Sequence, residues 1–191
     1  MQPPATSLPP QANPLSRVEA VASQAPSSGA TTSTVTVAPD GTRTTVLETH
    51  GAGTFSTISI IAKPDGDTTT IINQGTYGQE TYADTQTVNG VAAGHSYGGV
   101  TQVTRQAGAT HAVSRFIGPD GGQYAGTVTE ESGASQHVQT YTSPTGQHYA
   151  ETTEAVVKDG VVSGTRWITG PDGVTRSEPF RHPQQDAPAA P

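Results

Sequence analysis

Apolar and polar residues alternate along this chain in short runs. Val35 and Val37 share one side of an extended segment, as do Ile58 and Ile60, and Val113 and Ile117 with Arg115 between them. A period of two residues predicts β-strands. No segment sustains the spacing of three and four that would predict a helix. The runs are interrupted at regular places. Pro39-Asp40-Gly41, Pro64-Asp65-Gly66, Pro119-Asp120-Gly121 and Pro171-Asp172-Gly173 share one tripeptide, with Pro144-Thr145-Gly146 as a near copy. Their starts lie 25 to 27 residues apart except for one double-length gap, which Asn89-Gly90 is expected to fill.

The turn chemistry explains the punctuation. Pro presets φ for the first corner of a type I turn, Asp tolerates the second, and Gly takes the left-handed position of a G1 bulge. A second set of breaks lies between these turns, at His50-Gly51-Ala52-Gly53, Gly75-Thr76-Tyr77-Gly78, Gly108, Ser132-Gly133 and Asp159-Gly160. Reversals therefore come roughly every 12 to 14 residues, the spacing of successive antiparallel strands. The predicted fold is all-β: an antiparallel β-meander of repeated hairpins, about twelve strands, spanning residues 33–180. Residues 1–32 and 181–191 are rich in Pro, Ala, Ser and Gln and read as disordered arms.

Composition changes the picture in one respect. About one residue in six is Thr, and aromatic residues make up 5% of the chain. Thr suits a strand but contributes little burial. In Gln136-His137-Val138-Gln139-Thr140-Tyr141-Thr142 neither face is apolar. A closely packed sandwich needs stronger patterning, so the sheet is expected to be open or thin-cored. A closed ligand-binding barrel would need inward apolar residues in most strands, and an outer-membrane barrel would need aromatic girdles.

The net charge is −7, and Lys63 and Lys158 are the only lysines. This predicts no nucleic-acid partner and no polybasic contact with lipid. The absence of cysteine removes disulfides and thiolate chemistry. There is no visible signal peptide and no apolar stretch long enough for a transmembrane helix.

Candidate chemistry is sparse. Gly94-His95-Ser96-Tyr97-Gly98 matches G-x-S-x-G and resembles the nucleophile elbow of α/β-hydrolases, with Asp120 and then His137 or His148 downstream. Its neighbours are wrong for that role, because the β-branched run Val100–Arg105 follows where a helix is needed. The turn aspartates Asp40, Asp65, Asp120 and Asp172 offer one carboxylate each, too few for calcium. The six histidines form no ligand pair, and no cofactor is implied. Glu130-Glu131 and Glu151 with Glu154 read as solvated or cross-strand groups. Tyr77, Tyr82, Tyr97, Tyr124, Tyr141, Tyr149 and Trp167 form either a ladder along one face or the largest pieces of a meagre core.

The Asp-Gly corners, followed by polar strands such as Arg43-Thr44-Thr45-Val46 and Thr68-Thr69-Thr70-Ile71, resemble the YD-type repeats of bacterial surface proteins. The cysteine-free composition, rich in Thr, Gly and Gln, is similar to that of bacterial β-meander and fibre-forming matrix proteins. The resemblance implies a structural, non-enzymatic protein at the cell surface or in an extracellular matrix. Its partners would be other copies of itself and, secondarily, surface polysaccharide. A ligand- or carbohydrate-binding β-domain is the alternative, and a hydrolase using Ser96 a further one. For self-assembly the expected site is the first strand, with Ser33, Thr34, Val35, Thr36 and Val37 as an uncharged, proline-free edge. Pro179 and Pro183 are expected to lie past the last strand and blunt the other edge, and Thr36→Pro is expected to abolish polymerisation.

Overall fold

A computed structural model describes residues 31–183. The strands are β1 (Thr31–Val37), β2 (Arg43–Gly51), β3 (Thr54–Ala62), β4 (Thr68–Tyr77), β5 (Thr81–Ala92), β6 (His95–Gln106), β7 (Ala109–Ile117), β8 (Gln123–Glu131), β9 (Ala134–Thr142), β10 (His148–Lys158), β11 (Val161–Thr169) and β12 (Thr175–Pro183). All twelve form one open antiparallel sheet in chain order, with no pairing of β12 back to β1. Among the described residues there is no helix and no second sheet to cover it. The predicted sheet domain widens slightly. Thr31 and Thr32 of the expected first arm belong to β1, and Arg181 to Pro183 of the expected tail belong to β12. The rest of both arms lies outside the described residues.

With one exception, at Ala93-Gly94, the turns sort by chemistry to the two ends of the sheet. The Pro-x-Gly turns all lie at one end, joining β1–β2, β3–β4, β7–β8, β9–β10 and β11–β12. In the first, Gly41 adopts φ 83° and donates its NH to the Ala38 carbonyl at 2.9 Å. The Asp side chain supplies a further bond. Oδ1 of Asp40, Asp65, Asp120 and Asp172 accepts the NH two residues on, at 2.9–3.0 Å. The Thr42 backbone NH, with its hydroxyl assisting, holds the Asp40 carboxyl below the ordinary carboxylate range. Thr145 stands where the other turns have Asp, and there Ser143 Oγ accepts the Gln147 NH at 3.0 Å instead. At the other end, Ala107-Gly108, Ser132-Gly133 and Asp159-Gly160 have positive φ at both corners, as type I′ hairpins require.

Two expected turns lie a few residues further along the chain. Asn89 and Gly90 continue β5, and the chain reverses at Ala93-Gly94, another positive-φ pair. Gly75 to Tyr77 continue β4, and the reversal follows at Gly78 to Glu80. In both cases the glycine serves a ring on the neighbouring strand rather than a bend. The register pairs Phe55 with Gly75, Tyr97 with Gly90, Phe116 with Gly99 and Phe180 with Gly164. A Cβ at these glycines would stand 2.5, 2.3, 2.9 and 2.8 Å from the paired ring. At Gly75, Gly99 and Gly164 a neighbouring carbonyl oxygen also comes within 2.0–2.3 Å of that Cβ position. At Gly90 the three nearest atoms all belong to the Tyr97 ring. Tyr97 crosses the whole width of β5 there, and its hydroxyl reaches the Thr69 hydroxyl on β4.

The ladder expectation is thereby answered. Paired residues share a face, so the register places all six tyrosines and Phe55, Phe116 and Phe180 on one face. Trp167, at the opposite parity to Arg166, lies on the other. Tyr97, Phe116, Tyr124, Tyr141 and Tyr149 form a continuous row near the Pro-x-Gly end, with successive ring centroids 6.1, 6.5, 4.5 and 5.9 Å apart. Near the other end Phe55 stacks on Tyr82 and Tyr77, at 6.0 and 6.5 Å. The buried apolar residues, Phe55, Tyr82, Val103 and Ala112, gather around this second group with Tyr77 and Val128 against them. A sheet without a covering layer hides apolar area by laying its own rings across glycines. The opposite face carries Thr-rich cross-strand pairs, such as Thr169 with Thr175 at 2.7 Å and Thr31 with Thr49 at 3.2 Å.

Candidate functional site

A sheet that stays open has two edge strands whose outward backbone groups lack a ladder partner. Here they are β1 and β12. The first hairpin fixes which residues of β1 point outward. The Ala38 NH donates to the Thr42 carbonyl at 2.9 Å, so Ala38 and Thr42 are a hydrogen-bonded pair. Pair types alternate along an antiparallel ladder. Thr36, Thr34 and Thr32 therefore direct their NH and C=O groups to Thr44, Val46 and Glu48 of β2. Thr31, Ser33, Val35 and Val37 direct theirs away from the sheet.

All seven residues of β1 are exposed, and none is charged or proline. Val35 and Val37 leave 48% and 67% of their surface open, high for apolar residues in a strand. The expected edge, Ser33 to Val37, thus lies within β1. Of its five residues only Ser33, Val35 and Val37 offer outward groups, whereas Thr34 and Thr36 are bonded inward. This corrects the expected test. Proline at Thr36 would remove a bond to β2 and damage the hairpin, whereas proline at Val35 removes only an outward donor.

The other edge is built differently. The Gly170 NH donates to the Val174 carbonyl at 3.1 Å, and the same alternation makes Thr175, Ser177, Pro179, Arg181 and Pro183 the outward residues of β12. The two prolines are not past the last strand, as expected, but inside it. Each deletes an outward donor and projects its ring where an added strand would lie. Arg176, Glu178 and Arg181 add charge to the same strand. One edge is open and the other is guarded.

The remaining candidates are dispersed. Ser96 is the second residue of β6, exposed and paired in register with Val91, so the segment is extended chain and not the strand-to-helix turn of a nucleophile elbow. Asp120 is engaged with the Gly122 NH. No group of three His, Asp or Glu among the described residues gathers to hold a metal. Glu130 faces His137 at 3.8 Å, and Glu151 accepts from Arg166 at 2.6 Å, both across strands. In the aromatic row Tyr124 and Tyr141 stack on each other, each covering one face of the other ring. On the opposite face an open depression of about 730 Å³ is lined by Trp167, Glu154, Gln136 and Thr129 among others, and there Gln136 already donates to Glu154 at 2.9 Å. No helix among the described residues is long and apolar enough to cross a membrane.

No known protein family matches the sequence, and neither the curated proteins nor the solved structures contain a significant match to it.

Proposed function

We propose that the protein is a structural, non-enzymatic β-repeat protein of a bacterial surface or extracellular matrix that assembles by adding strands to its own sheet. The observation that supports this reading is the asymmetry of the two edges. β1 offers outward NH and C=O groups at four successive alternate positions, with no charge or proline to obstruct them. Strand addition at such an edge needs no pocket and no special side chain, because the backbone supplies the bonds. The lack of cysteine and the low charge suit a protein that must pack against copies of itself without mispairing or repulsion.

Sedimentation of the purified full-length chain over a range of concentrations tests the reading. The wild type is expected to gain mass as concentration rises, and Val35→Pro is expected to stay monomeric with an unchanged β-sheet circular dichroism spectrum. A wild type that remains a monomer throughout, or a Val35→Pro variant that assembles as well as the wild type, would contradict it.

A further inference from the structure

We infer that the partner of β1 is β1 of a second copy, in one defined register centred on Thr34, and that the assembly closes as a symmetric dimer. The inference rests on the assembly reading above and specifies its geometry. Two antiparallel strands bond through positions whose groups point at each other. The outward residues of β1 are 31, 33, 35 and 37, so all four on each copy find partners in a single arrangement. In it Thr31 faces Val37 of the other copy and Ser33 faces Val35. Each such pair exchanges two hydrogen bonds, and the two-fold axis passes through Thr34. A shift of two residues leaves one pair of the described strand unmatched. A shift of one residue sets outward groups against inward ones.

The side chains agree with this register. Paired residues share a face, so Val35 and Val37, the exposed apolar residues of the strand, gain neighbours across the seam. Thr32 meets Thr36, and Thr34 meets its own copy. No charge is brought against a like charge, because β1 has none.

β12 is the weaker partner for β1. Four consecutive outward positions on β12 are either Thr175 to Arg181 or Ser177 to Pro183, and both spans include Pro179. Any full-length pairing with β12 therefore loses at least one donor and meets at least one ring. β12 against its own copy would bring prolines together as well. Once β1 is paired, the exposed edges of the dimer are two copies of the guarded strand. Growth stops at a continuous sheet of twice twelve strands.

Cysteine crosslinking of the full chain tests the register, and the natural chain has no cysteine to interfere. Thr34 is a non-hydrogen-bonded position across the seam, where Cα atoms sit about 4.5 Å apart, within the range a disulfide spans. Thr34→Cys is expected to oxidise to a disulfide-linked dimer. Thr36→Cys alone is expected to stay unlinked, while a mixture of Thr32→Cys and Thr36→Cys should link. The joint variant Pro179→Thr/Pro183→Thr is expected to convert the dimer into longer assemblies.

The outcomes separate. Efficient self-linking at Ser33→Cys with none at Thr34→Cys would overturn the register. A wild type that grows into filaments, with Val35→Pro still monomeric, would overturn closure and leave the assembly reading standing. A wild type that never associates removes both. A dimer unchanged by the loss of Pro179 and Pro183 would overturn the guarding role given to β12.

Discussion

At the scale of single residues the fold turns on which glycines lie under rings. Gly90 is the clearest case, because a methyl group there would meet only the Tyr97 side chain, and its φ is not in the left-handed region. Gly90→Ala is expected to destabilise the protein by about 1–3 kcal/mol, the usual cost of forcing a group into filled space. In a Tyr97→Ala background the same change should be neutral or slightly stabilising, since Gly in a strand interior is itself unfavourable. Urea unfolding of the four proteins measures the coupling, and equal effects of Gly90→Ala in both backgrounds would refute it. Both residues are plain in the sequence, yet their pairing is not. Asn-Gly is a strong turn signal, and only the register, which sets Gly90 opposite Tyr97, assigns the glycine to packing instead.

At the scale of elements, the repeated hairpin was legible because its turns carry their own chemistry. Pro sets φ, Gly supplies the left-handed residue, and the Asp carboxylate accepts a backbone NH in all four Pro-Asp-Gly turns. The same turn type fixes the closing pair, and hence which residues of β1 point outward, so that inference was also available from residues 38–42. The end of β12 was harder to read. Proline usually marks the end of a strand, but at an outward position of an edge strand it costs no ladder bond, so Pro179 is tolerated inside β12. The long strand β5 yields a pH prediction. Burial under Phe55, and next Asp84, push the Tyr82 hydroxyl up to about 12. An unfolded tyrosine ionises near 10. Between those values the unfolded chain binds fewer protons than the folded one, so stability complete below pH 10 is lost as pH rises towards 12. Tyr82→Phe should remove that part of the alkaline loss. Urea midpoints at pH 9 and 11.5 that fall equally for both proteins would show that Tyr82 contributes nothing.

At the scale of the whole molecule, the scarcity of apolar residues was itself the informative signal. A chain that cannot fill the space between two sheets forms one, and one open sheet has edges. Each strand packs on its neighbours in sequence, so stability accrues pairwise along the meander, as in other repeat proteins, and the terminal strands have one neighbour instead of two. The edges were foreseeable from that pattern. The contrast between them was legible in outline, from a proline-free first strand and the prolines near the last one, but its basis was not, because it depends on the parity of Pro179 and Pro183 relative to the last turn. We propose that copies of the protein join through β1. Residue-resolved amide hydrogen exchange at low and high protein concentration tests it most directly. The outward amides of Thr31, Ser33, Val35 and Val37 are expected to become protected as concentration rises, while those of Thr175, Ser177 and Arg181 on β12 continue to exchange freely. Free exchange of the four β1 amides at every concentration would show that copies do not join through β1.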